Sequence, residues 1–307
     1  MDFISKEMVE GSKLVGHYGV GFLDDYLLGI KKSDFVMIGA PTGTGKSNLA
    51  YQIAFDNSEK LNVHLFALEA DNNEPFRRRL FSEYSRALKA SFSIYADYRK
   101  FVQGHFENKE LLAAIEKQLM EKYYKLAIHY RDKQFSIETL AEKLNLIAKT
   151  GGCDMIILDH VDYFDIIADV NENYQVSEIM KTLRDINIEW EIPIILVSHL
   201  RKKSNRKVKI PEIEDLFGTS NKQKQMKTVI LLAPDFESSK PDDGLFSTFF
   251  CIPKDRLFGG THLIGRTYFN NNLGAYEKPY EILLAKNYGE TVEKYEGRIP
   301  KWSKYGA

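Results

Sequence analysis

Cysteine is nearly absent. Cys153 and Cys251 are the two in 307 residues, too few for a disulfide framework. Both border or lie in apolar runs and read as small buried side chains of a reducing cytosol, not as a metal pair. No apolar run approaches the roughly 18 residues a membrane span needs. The opening Met-Asp-Phe-Ile-Ser-Lys-Glu lacks the apolar centre of a signal peptide. These absences predict a cytoplasmic protein with no membrane partner. Net charge is scarce as well, a formal −1. The surface as a whole is then neither a polyanion trap nor an acidic tail, and any nucleic-acid contact must come from local patches. There is no internal repeat and no low-complexity tract. What is present, 44% hydrophobic and 28% charged residues, suits a globular chain of one large or two modest domains.

The chain turns on residues 34–50. Phe35 to Ile38 reads as a buried strand, Gly39 to Gly45 as a Gly-rich turn, and Lys46-Ser47 opens a helical pattern of Leu49, Ala50, Ile53 and Ala54. Strand, Gly loop and helix with Gly-Lys-Ser at the join form the P-loop signature. The loop Ala40, Pro41, Thr42, Gly43, Thr44, Gly45 would turn its backbone N–H groups toward phosphate oxygens. Lys46 supplies a point charge at the β- and γ-phosphates, and the Ser47 hydroxyl can ligate Mg²⁺. The expected ligands are ATP and Mg²⁺. One position departs from the signature: Ala40 stands where its first Gly should fall.

Around this stretch, strand-like runs alternate with helical ones. Val63 to Leu68, Leu126 to Tyr130, Met155 to Leu158, Pro193 to Val197, Val229 to Ala233, Phe246 to Ile252 and Ile264 to Phe269 read as strands, the last of these as the final strand of the sheet. Residues 74–124 read as a helical insertion, rich in Arg, Tyr and Phe, whose aromatics are core rather than base-stacking platforms. Ser136 is a predicted N-cap for a helix that Gly151-Gly152 stops. A further helix is expected from Val176 to Glu189. The pattern predicts an α/β fold, a mostly parallel central sheet with helices on both faces. Ligands bind such sheets at the carboxyl ends of the strands.

Polar residues at those ends carry the candidate chemistry. Asp159 directly follows four apolar residues, the context of a Mg²⁺-holding Asp, and is preferred over its neighbours His160 and Asp162. Glu69 ends the strand after the P-loop helix, where a carboxylate can orient and deprotonate an attacking water. His199 ends another strand, where a polar group can sense the γ-phosphate. Lys254 and Arg256 alternate across one residue and point the same way in a strand. They are either a solvated edge or a grip on phosphate, acting from a neighbouring subunit. Arg201, Lys202, Lys203, Arg206, Lys207 and Lys209 follow His199 with no acid between them, and Lys222, Lys224 and Lys227 come after. This is either a solvated charge run or a loop that tracks a nucleic-acid backbone.

The order of these pieces resembles the RecA-like ATPase domain of hexameric replicative helicases, the DnaB type and its phage relatives, from about Gly16 to about Lys278. The motifs carrying the resemblance are Gly21-Phe-Leu-Asp-Asp, Ala40-Pro-Thr-Gly-Thr-Gly-Lys-Ser, Leu68-Glu69, Ile157-Leu-Asp159, Val197-Ser-His199-Leu and Lys254-Asp-Arg256. Glu214-Asp-Leu-Phe-Gly-Thr-Ser220 resembles the DNA-facing loop, with Phe217 where the family carries Arg. The resemblance implies a RecA-like P-loop NTPase with catalytic Glu69, Lys46, His199, Lys254 and Arg256. It implies Ser47 and Asp159 on the metal, and Phe269 near the position where an aromatic packs on adenine. Gly218, Ser220 and Lys222 join the basic run as DNA contacts. Implied partners are single-stranded DNA, further copies of the chain in a hexamer, and a primase or helicase loader, in a bacterial or phage-infected cell. Residues 1–15 are expected to form an N-terminal arm or linker, standing where the family's linker helix docks on the next subunit and without the family's N-terminal domain, 16–278 the ATPase domain, and 279–307 an appended tail. The rival reading is a RecA- or KaiC-like ring or filament ATPase that serves recombination or regulation without unwinding.

Overall fold

The computed structural model describes residues 14–71, 73–88, 94–131, 136–160, 172–200, 209–216, 224–271, 273–298 and 300–304. Two short strands, β1 (Leu14–Gly16) and β2 (Ile30–Lys31), pair beside helix α1 (Gly21–Leu27). The remaining eleven strands form one sheet. Six of them are parallel, in the spatial order β8 (Thr228–Pro234), β3 (Phe35–Ala40), β7 (Ile194–His199), β6 (Met155–Asp159), β4 (Val63–Ala67), β5 (Leu126–Tyr130). On the far side of β8 the pairing turns antiparallel through β9 (Leu245–Asp255), β10 (Leu263–Asn270), β12 (Glu281–Lys286) and β13 (Thr291–Lys294). The two-residue β11 (Ala275–Tyr276) adds to β10.

The central strands are buried on both faces, so they read as unbroken apolar runs rather than alternating ones. In β3, Val36, Ile38 and Ala40 pack toward α1, α2 (Lys46–Ser58) and the insertion, whereas Phe35 and Met37 pack toward α6 (Ile137–Lys149) and α7 (Glu172–Glu189). The insertion is three helices, α3 (Glu74–Ala87), α4 (Ile94–Val102) and α5 (Lys109–Lys122). Its aromatics Phe81, Tyr84, Phe101 and Tyr123 are buried in the core, as their spacing predicts. Asn108 caps α5 by accepting from Leu111 N at 2.9 Å, and Ser136 caps α6 by accepting from Thr139 N at 3.3 Å. Cys153 and Cys251 are buried free thiols, and burial pushes each up to about 12. Among the described residues no helix is long and apolar enough to cross a membrane.

One expectation is corrected. The strand over Ile264–Phe269 is not the last of the sheet, because β12 and β13 continue it beyond residue 278. The segment read as a tail also returns to α1. Trp302 packs edge-on against Tyr26 at 5.1 Å and Phe22 at 5.9 Å. The Tyr280 hydroxyl donates to the buried Asp25 carboxylate at 2.8 Å, and Lys304 N donates to the same oxygen at 2.8 Å. β12 carries Glu281 and Lys286 at its ends and β13 is mostly exposed, so the charged residues dominate the composition of this stretch and suggest an appendage.

Candidate active site

The carboxyl ends of β3, β7, β6 and β4 lie side by side, and each delivers one group. β3 runs into the P-loop. Gly43 at φ 80 and Gly45 at φ 93 hold backbone that other residues rarely adopt. A Cβ at Gly45 would also fall 2.8 Å from the Tyr276 hydroxyl. Lys46 is the first residue of α2 and is buried. In the register of β3 with β7, Ala40 pairs with His199. In that of β4 with β6, Ala67 pairs with Asp159, and Leu68 N donates to the Asp159 carbonyl at 3.3 Å. Glu69 follows directly.

Ser47 Oγ donates to Asp159 Oδ1 at 3.2 Å. Asp159 Oδ2 is buried and accepts no hydrogen bond among the described residues. Burial pushes the Asp159 carboxyl up to about 6, against the pull of the Ser47 and Tyr51 hydroxyls and the Lys46 ammonium. A hydroxyl and a carboxylate with one oxygen to spare are the hard oxygen donors that Mg²⁺ takes, so the residues fit the ion. Thr42 Oγ1 of the P-loop lies 3.4 Å from His199 Nδ1. The His199 ring stacks on His160, with centroids 4.5 Å apart and planes at 28°. His160 Nε2 in turn lies 2.5 Å from Glu69 Oε2 and 3.6 Å from Asp159 Oδ1.

Lys46, Ser47, Glu69, Asp159 and His199 therefore converge at one edge of the sheet. Lys254 and Arg256 do not join them. Arg256 N donates to the Lys227 carbonyl, and Lys227 N donates to that of Phe35, the first residue of β3. Five residues of strand, roughly 16 Å, separate that level from the P-loop at Ala40. At their own end, burial and the Arg256 charge lower the Lys254 pKa, and burial and the same charge lower that of Arg184. Arg256 also donates to the Lys224 carbonyl. Asp255 between them turns inward, accepting from Thr228 Oγ1 at 2.6 Å.

Phe269 of β10 packs against Tyr276 at 5.1 Å, and the Tyr276 hydroxyl lies 3.4 Å from the Thr44 carbonyl. Phe269 lines a cavity of about 790 Å³ between α2 and the insertion, together with Asn48, Tyr51, Arg78 and Phe81. Of the expected DNA contacts, Lys209 is described: its ammonium is 2.7 Å from Glu237, and its backbone N–H donates to the Gly289 carbonyl. Arg201, Lys202, Lys203, Arg206, Lys207, Gly218, Ser220 and Lys222 lie outside the described residues, as do Phe217 and Asp162.

Two contributors were missed in the sequence. Tyr51 sits one helical turn after Ser47, so its hydroxyl reaches the same carboxylate; that spacing was a usable signal. His160, the residue after Asp159, sits against Glu69 as well as Asp159.

The profile of the DnaB-like helicase C-terminal domain matches residues 17–276. The chain belongs to that family. It is 26% identical over 222 residues to a probable plasmid replicative DNA helicase of Chlamydia trachomatis, a match covering 71% of this chain and 46% of that protein. It is 24% identical over 243 residues to the replicative DNA helicase DnaB of Geobacillus stearothermophilus, covering 76% and 50%. The chain thus spans about half the length of these curated relatives. Among solved structures, an ATPase domain determined on its own superposes with a TM-score of 0.69 at 18% identity, covering 90% of this chain and 95% of that one. A DnaB-like replicative helicase solved in a study of its interactions with primase gives 0.70 at 18% identity, covering 90% and 65%. The RecA-like fold of this DnaB-family domain is shared with both, and the family's use of nucleotide agrees with the P-loop.

Proposed function

We propose that this DnaB-family chain is the ATP-driven motor of a replicative DNA helicase, a ring that translocates on single-stranded DNA and unwinds duplex. The observation that carries the reading is the division of one sheet. Its carboxyl edge holds Lys46, Ser47, Asp159, Glu69 and His199, and the cations Lys254 and Arg256 stand at the opposite level, out of reach of their own P-loop. Such a layout suits a site completed by the next subunit, as heterologous contacts around a ring require.

In this reading the P-loop N–H groups and Lys46 cradle the triphosphate. Ser47 and Asp159 would hold Mg²⁺, which would supply positive charge against the triphosphate. Glu69 orients the attacking water and accepts its proton. His199, beside Thr42, registers the γ-phosphate and leads into the basic run that follows it in the chain. Lys254 and Arg256 of an adjoining copy stabilise charge that develops in the transition state, worth about 10³–10⁵ in rate where such an Arg acts. Phe269 lies where it can pack on the base, and the basic run would follow the phosphates of single-stranded DNA. A primase or loader is the expected further partner, in a bacterial or phage-infected cell.

The test is ATP turnover with and without single-stranded DNA, measured beside native mass and the unwinding of a forked duplex. Stimulation by DNA, a six-membered assembly and strand separation are the expected results. Stimulated turnover without unwinding would favour the recombination or regulatory ATPase instead, and a DNA-indifferent monomer would overturn both.

A further inference from the structure

Glu69 is a poor general base as a free side chain. It lies beyond the end of β4, its side chain is 43% exposed, and it has several rotatable bonds to order before it can face a water. The structure supplies what orders it. His160 is fully buried, and its Nε2 lies 2.5 Å from Glu69 Oε2, a close approach of ring nitrogen and carboxylate that is not aligned as a hydrogen bond. One face of the same imidazole stacks on His199, which is itself beside Thr42 of the P-loop. The backbone at His160 is held at φ 79, a left-handed conformation costing about 1–3 kcal/mol in a non-glycine residue unless the surroundings fix it. That turn, immediately after the strand residue Asp159, brings the ring across to Glu69.

We infer that His160 is the positioning residue for Glu69, the ring that sets the carboxylate at the γ-phosphate end of the P-loop and ties its placement to His199. The inference rests on the hydrolytic reading above and deepens it. Glu69, His160 and His199 do bring their ligand atoms within 4.8 Å of one another. However, two imidazoles lying nearly face to face direct their lone pairs along near-parallel planes and do not converge on one ion. The trio is built as a stack that orders a carboxylate.

Three variants of the full chain and one double variant test it, with MgATP and single-stranded DNA. His160→Asn suits the left-handed backbone, since Asn tolerates it, but is too short to reach Glu69. His160→Gln places an amide nitrogen near the position of Nε2. Glu69→Gln and the double variant Glu69→Gln/His160→Asn complete the set. In His160→Asn, kcat falls about 100-fold, the effect expected of a misplaced reacting group. KM for ATP, the affinity for a fluorescent ATP analogue and the thermal midpoint stay close to wild type. His160→Gln recovers much of kcat, and His160→Asn costs nothing further once Glu69 is Gln. Parallel losses of nucleotide affinity and kcat, multiplying losses in the double variant, or a Gln variant no better than Asn would overturn the positioning role. Wild-type chain that turns over no ATP would instead defeat the hydrolytic reading itself.

Discussion

Asp159 shows how much a single carboxylate can be asked to do. It is buried at a strand end, holds Ser47 through one oxygen, and is raised to about 6 by the loss of water around it. Its neighbours Ser47, Tyr51 and Lys46 keep it near the charged form that a cation needs. Glu69 has the contrasting environment, half open to solvent. Replacing it with Gln removes the proposed proton acceptor and keeps the shape, so kcat should fall about 10²–10⁴-fold while ATP binding persists. Steady-state turnover beside nucleotide titration checks this. That Glu69, Asp159 and His199 lie at one edge of the sheet was legible in the sequence because each ends or closely follows an apolar strand run. The partnership of His160 with Glu69 was not, because it depends on a left-handed backbone at His160 and on β4 and β6 being neighbours. Neither is written into local residue order.

At the scale of elements, the parallel half of the sheet was readable from its apolar runs, and the order of motifs along it put the candidate residues at its carboxyl edge. The antiparallel half was readable only in part. β9 and β10 carry strong apolar stretches, but β12 is apolar only between Glu281 and Lys286, and β13, the edge of the sheet, is short and charged, so their place shows only when they pair. Gly265 in β10 lies against α1, where a Cβ would fall 2.2 Å from the Phe22 ring. Gly265→Ala should therefore cost about 1–3 kcal/mol or more by overpacking, read as a lower denaturation midpoint. Ending the chain at residue 278 would remove β12, β13 and the Trp302 contacts, and should destabilise α1 in the same assay.

A further element-scale prediction concerns acid. On adjacent strands, His64 Nδ1 and His129 Nε2 lie 3.0 Å apart and the rings stack at 5.2 Å. Burial, then the Lys143 ammonium and His64, lower His129 to about 4, and burial lowers His64. A histidine kept neutral by the fold but free to protonate in the unfolded chain contributes stability above its ordinary pKa of about 6.5. That contribution is lost as pH falls from about 6.5 toward 4. Urea midpoints at about pH 7, 5.5 and 4.5 should decline over that window, and His129→Phe should flatten the decline.

For the whole molecule, the proposed sharing of each site between copies makes a mixing experiment decisive. Lys46→Ala alone and Arg256→Ala alone should each be nearly inactive. Mixed at equal amounts under conditions where subunits exchange, they should regain roughly a quarter of wild-type turnover, since random neighbours restore that share of complete sites. No recovery in assemblies shown to be mixed would remove the shared site. Binding to single-stranded DNA should weaken with salt at a slope of about −0.7 per phosphate neutralised, as measured by anisotropy titrations.

The two levels of the one sheet also make the number of copies countable by chemistry. If each site is shared as proposed, a lone protomer would own two half-machines that cannot meet, and an open row of n copies would leave one half idle at each end, giving n − 1 working junctions. Closure recruits those last two halves together. Output per protomer should thus climb with row length and step to its ceiling when the circle shuts, so that catalysis itself reports topology.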